Sequence, residues 1–134
     1  MQHIYNVHSI GWGSTGPHLD VKQLDNPNTP EDETGAYFEY DDPEIAEYLF
    51  VDDLEKGRVP LPQVPMMGSW ESHANRSSNG YDYGIHDGRP IFLKPPARVI
   101  DSITTTEGDD MLYIELPSGR RFKFHHGKDP NNRQ

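Results

Sequence analysis

Residues 111–126, MLYIELPSGRRFKFHH, constrain what this chain can fold into more than any other stretch. On both sides of Pro117-Ser118-Gly119-Arg120 the apolar residues recur at every second position. Leu112, Ile114 and Leu116 lead into the turn, and Phe122 and Phe124 lead out of it. A period of two sends alternate side chains to opposite faces of an extended chain, so each arm buries one face. Pro, Ser and Gly are residues that reverse a chain. The stretch therefore predicts a β-hairpin with arms over 111–116 and 121–126. Residues 97–103, centred on Val99, predict a strand ahead of it. An isolated hairpin is marginal in water, so this one needs a larger sheet to complete its core.

The composition agrees. A length of 134 residues fits one domain with a modest core. With 12 Pro, 12 Gly and 33% hydrophobic residues, short strands and many turns are expected, with little helix. Residues 3–10 read as a strand with Tyr5, Val7 and Ser9 inward, and residues 36–40 as a brief strand. One helix start is legible. Asp42 stands at the N-cap, Pro43 at the first helical position, and Glu44 where the dipole favours an acid. Ile45, Ala46, Leu49 and Phe50 supply its apolar stripe, and it is expected to stop near Val51–Asp53. Residues 25–35 are acidic and rich in Pro and Asn, and 57–65 carry prolines that bar a central strand. The expected fold is a mainly β single domain spanning 1–134, an antiparallel sheet with one short helix. Residues 25–65 are expected to form an insertion or contact segment.

Twelve basic against 22 acidic residues give a net charge of −10, which repels phosphate backbones and anionic lipid. Nucleic acid and membranes are not expected as partners. The absence of cysteine excludes disulfides and Cys-based zinc sites. The first ten residues have neither the basic nor the apolar run of a secretion signal, so none is expected.

The stretch 11–24, GWGSTGPHLDVKQL, reads as a glycine-rich approach followed by a strand. Leu19 and Val21 point one way, and His18, Asp20 and Lys22 the other. An imidazole and a carboxylate thus share one face. STGPHLD resembles the STGPHLH segment of the lysostaphin/LytM family of zinc endopeptidases, which cut peptide cross-links in bacterial cell walls. A second block, SSNGYDYGIHDGRPI at 77–91, is similar to that family's HxGxDxA followed by GTPV or GTPI.

The resemblance implies roles residue by residue. His18 matches a histidine that assists catalysis, and Asp20 stands where a zinc-binding histidine is found. Asp82 matches the aspartate zinc ligand, and Ser78 stands where the remaining histidine ligand is found. His126, beside Gly127 at the end of the hairpin, matches a histidine that helps to hold the attacking water. By alternation His126 would share the face of Phe122 and Phe124, and His125 the face of Arg121 and Lys123. The ligand positions Asp20, Ser78 and Asp82 form an oxygen-only set, which disfavours zinc. His73 and His86 are near in sequence; either could swing in as a replacement ligand, but both are expected to be surface loop histidines.

The blocks run in the reverse of the family's usual order, a permuted arrangement associated with some bacteriophage tail proteins. The resemblance implies a groove across one sheet face. The expected function is a structural or attachment component of a phage tail or baseplate, located in the virion. It would be part of an oligomeric assembly with other virion proteins, would contact bacterial peptidoglycan, and would need no cofactor. The alternatives are an active peptidoglycan endopeptidase with a non-standard ligand set, holding zinc, and a peptidoglycan-binding module that does not cut.

Overall fold

The structure is a computed structural model that describes residues 1–9, 16–24, 35–76 and 79–131. Trp12, Ser14, Thr15, Ser78 and most of the 25–35 stretch lie outside the described residues. In chain order the elements are β1 (Gln2–Val7), β2 (His18–Gln23), α1 (Pro43–Tyr48), β3 (Leu49–Asp53) and β4 (Gly57–Pro60). A 3-10 turn (Leu61–Gln63) follows, then β5 (Met66–Gly68), α2 (Trp70–Arg76), β6 (Tyr81–Gly84) and β7 (Pro90–Leu93). The chain closes with β8 (Arg98–Thr104), β9 (Asp110–Glu115) and β10 (Arg121–Lys128).

All ten strands join one curled sheet in the order β4-β3-β7-β1-β10-β2-β6-β5, with β9 also on β10 and β8 on β9. Every named pairing is antiparallel. The fold is mainly β, as the alternation requires.

The hairpin follows its pattern. Phe122 pairs with Ile114 and Phe124 with Leu112, and all four side chains are fully buried. Burial of side chains this size is worth roughly 1.5–3 kcal/mol each. Gly119 takes φ +95°, so the reversal after Pro117-Ser118 uses glycine's freedom. The hub is β10. It pairs with β9, with β2 over 122–125, and with β1 at 127–128.

Helix α1 begins as its sequence dictates. Asp42 Oδ1 accepts from the backbone amides of Glu44 and Ile45 at 2.9 and 3.4 Å. It ends earlier than its apolar stripe suggests. Leu49 opens β3, where Leu49 and Val51 pair with Leu93 and Ile91 of β7. Ladder pairing on a buried strand outweighs the helical spacing of Leu49 and Phe50. Of the expected insertion, 43–64 supply α1, β3 and β4, with Ile45, Leu49, Val51 and Leu61 fully buried. This part is sheet and core. The prolines act as anticipated, since Pro60 closes β4 at the end of the strand order. In β1, Ile4 is buried together with Tyr5 and Val7, because a register shift between His3 and Tyr5 breaks the alternation. Of residues 36–40, only Ala36 pairs, in a single bridge to Gln23.

A second helix, α2, is an addition to the expected fold. Ser69 starts it, its Oγ accepting from the Ser72 amide at 3.2 Å. Trp70 anchors it by edge and tilted ring contacts with Tyr37, Phe38 and Tyr81, at centroid distances of 4.9, 5.8 and 5.4 Å.

Candidate functional site

The sheet register assembles a row of polar side chains across three strands. Asp20 of β2 pairs with Asp82 of β6 on one side and with His125 of β10 on the other. Cross-strand partners point to the same face, so two carboxylates and an imidazole stand side by side. His18 lies one pleat further along β2, opposite Gly84. The two segments that carry the resemblance, remote in sequence, are therefore hydrogen-bonded neighbours.

This face of β2 is not washed by solvent. His18, Asp20 and Asp82 retain 2%, 6% and 2% exposure, and His73 of α2 lies against the two carboxylates. Trp70 and His73 are three residues apart, so the ring contacts that dock Trp70 also bring His73 down onto the sheet. His73 is 3% exposed. Its Nε2 stands 3.1 Å from Asp20 Oδ1 and 3.3 Å from Asp82 Oδ1. The expectation of a surface loop histidine at 73 is corrected: it is the buried imidazole between the two carboxylates. His86 is exposed, as expected, and lines a surface cavity of about 160 Å³ with Pro17, Met67 and Gly84. That cavity adjoins the end of β2 where His18 sits. Ser78 lies outside the described residues.

Close approach of backbone shapes the site. A Cβ on Gly68 would stand 2.4 Å from Asp82 Oδ2. A Cβ on Gly80 would stand 2.7 Å from the Val21 carbonyl oxygen. Both positions need glycine for space.

A second departure from alternation lies in β10. His126 has φ +71°, and the register against β9 shifts between Phe124 and Gly127. Such a bulge re-aims side chains, and a left-handed histidine costs on the order of 1–3 kcal/mol. Its consequence is that consecutive residues share one face. The rings of His125 and His126 stack at 4.4 Å with planes 19° apart. His126 Nε2 is 3.6 Å from Asp20 Oδ2, and its ring meets that of His18 edge-on at 4.9 Å. His126 therefore does not share the face of Phe122 and Phe124, and the expectation from simple alternation is corrected. The face of His125 and Lys123, taken from alternation as the outer one, is the site face.

Charges and tautomers follow from these contacts. Burial pushes the Asp20 carboxyl up, but the approach of His73 and nearby positive charge outweigh it and hold the pKa at about 2. Burial pushes His126 down to about 4 and lowers His125 also, so both imidazoles are neutral at pH 7. His18 Nδ1 lies 3.0 Å from the Gly16 carbonyl oxygen, which can only accept. Nδ1 of His18 therefore donates in this contact.

The donor set fits a first-row cation. Ligand atoms about 2.0–2.2 Å from a tetrahedral zinc stand about 3.3 Å from one another. His73 Nε2 meets the two carboxylate oxygens at 3.1 and 3.3 Å, and all three ligand atoms lie within 4.8 Å of one another. Among the described residues the set is one nitrogen and two carboxylate oxygens, Asp20 and Asp82 being shared with the expected set and Ser78 lying outside the described residues. Two carboxylates at one buried position also favour a cation beside them.

Comparison with protein-family models, curated proteins and solved structures finds no match. No described helix is long and apolar enough to cross a membrane. The class these observations define is a mainly β domain with a buried His/Asp cluster of metal-binding composition.

The sequence pattern puts His73 on a surface loop and His125 on the outer face, and nothing in it singles out Asp109. A signal for α2 was present in Ser69 followed by Glu71, but seven residues are too few to display helical periodicity.

Proposed function

We propose that this chain is a metal-dependent endopeptidase, with Asp20, His73 and Asp82 as the ligands of a divalent cation such as zinc. The observation that carries this reading is the approach of His73 Nε2 to both carboxylates at ligand-to-ligand distances. The attachment reading rested on lost imidazoles, and His73 supplies one from another element. A bound cation would polarise a carbonyl and lower the pKa of water. His18, its Nδ1 held by the Gly16 carbonyl, would take the role of proton acceptor. His126 is neutral, and its Nε2, 3.6 Å from Asp20 Oδ2, stands at the edge of the same cluster. The cell-wall cross-link as substrate rests on the resemblance of STGPHLD and GYDY…GRPI alone.

One observation favours the second reading, a virion attachment component without chemistry. The site groups are almost wholly screened, and His–Asp clusters of this kind also hold folds together.

The test is metal analysis of the purified, dialysed protein, with mass spectrometry of fragments released from purified peptidoglycan. Bound zinc, cleavage stopped by chelator, and a loss of about 10²–10⁴-fold in His18→Ala with metal retained support the enzyme. A folded protein that holds no metal and releases nothing supports attachment.

A further inference from the structure

We infer that Asp20 is a bridging ligand and that the cluster is built for two cations, the second held by Asp20, His125 and His126. The inference rests on the metal-site reading above and extends it.

The two oxygens of Asp20 face different partners. Oδ1 faces His73 at 3.1 Å, and Oδ2 faces His126 Nε2 at 3.6 Å. Asp20, His125 and His126 bring one ligand atom each within 4.8 Å of one another, as do Asp20, His73 and Asp82. Asp20 is the member common to both groups. A carboxylate between two such sets has the form of a bridge, and hydrolytic centres commonly hold two cations about 3.5–4 Å apart.

Three further features point the same way. First, the strained bulge at His126 puts two consecutive imidazoles on one face, which a regular strand cannot do. Second, His125 has a carboxylate behind it: Asp109 Oδ2 is 2.7 Å from His125 Nε2, and the other oxygen of Asp109 accepts from the Thr105 hydroxyl. A carboxylate beside the imidazole is a common outer-shell partner of metal-binding histidines. Third, negative charge is in excess: among the described residues Asp20, Asp82, Asp109 and Asp110 are buried there against one buried lysine, Lys123.

The experiment counts ions. The full chain is stripped with chelator, dialysed, titrated with zinc, and measured by native mass spectrometry and elemental analysis. The expected result is two zinc ions per chain, falling to one in His125→Ala/His126→Ala and to one in His73→Ala. Asp109→Asn should weaken the second ion about 10–100-fold and leave the first. Manganese loading adds a readout free of variants, since a bridged pair gives a spin-coupled resonance and separate ions do not. One zinc per chain, sensitive to His73→Ala and indifferent to His125 and His126, overturns the bridge but keeps the single-metal reading. No bound zinc in a folded wild-type chain overturns both.

Discussion

Gly68 and Asp82 face each other across the β5–β6 pair so closely that a methyl group on Gly68 would stand 2.4 Å from Asp82 Oδ2 and 2.9 Å from its Cγ. The carboxylate is held where it is by the absence of a side chain opposite. Gly68→Ala must therefore move Asp82 away from His73. Overpacking of this kind costs about 1–3 kcal/mol. Chemical denaturation should report that loss, and zinc titration should show affinity reduced by an order of magnitude or more. Unchanged zinc affinity would remove Asp82 from the ligand set.

Trp70 holds α2 to the sheet, and α2 carries His73. Trp70 is half-buried, so Trp70→Ala should cost about 2–3 kcal/mol, below the range for full burial. Trp70→Phe should recover most of it by restoring a ring to the Phe38–Tyr81 cluster. Urea unfolding gives the stabilities. The same pair of variants should rank zinc affinity in the same order, since His73 is placed only through this helix.

His126 combines a left-handed backbone with an imidazole, and the two roles are separable. Asparagine accepts φ near +71° more readily than most residues but is a poor metal ligand. His126→Asn should keep thermal stability within about 1 kcal/mol of the wild type. It should still remove one ion from the zinc count. A large stability loss without a change in metal content would assign His126 to packing.

Acid should unfold the chain partly through Asp42. Burial raises this carboxyl, but Arg120, with Nη2 2.7 Å from Oδ2, and the helix amides outweigh burial and lower its pKa. The unfolded carboxyl titrates near the ordinary value of about 3.9. The stabilisation is thus fully present above that value and is lost as pH falls through the lower folded pKa, where the native carboxyl takes its proton. Asp42→Asn should flatten the acid limb of a stability–pH curve below about pH 4. An unaltered acid limb would assign the acid response to other carboxylates.

Local patterns were legible where one residue's neighbours in sequence settle its environment. The hairpin of β9 and β10, the N-cap at Asp42 and the shared face of His18 and Asp20 all belong here. The pairing of the 18–24 strand with the 80–84 strand followed from likeness of motif, and Asp20 opposite Asp82 agrees with it. Three things were not legible. The end of α1 at Tyr48 depends on β7, whose partner Leu49 becomes. The burial of His73 depends on an aromatic cluster drawn from Tyr37, Phe38 and Tyr81. The face of His126 depends on one left-handed residue, whose neighbour Gly127 is pressed against Tyr5 and Asn6 so closely that a Cβ would stand 2.2 Å from the Tyr5 ring.

The alternation and turn residues of this chain determined a mainly β domain, because side-chain period and backbone reversal are short-range properties. Which carboxylates and imidazoles converge was decided by the tertiary structure alone. Convergence depends on strand register, on the docking of a seven-residue helix, and on a bulge in the central strand. Each of these is set by packing between residues distant in sequence, where no local period records the outcome.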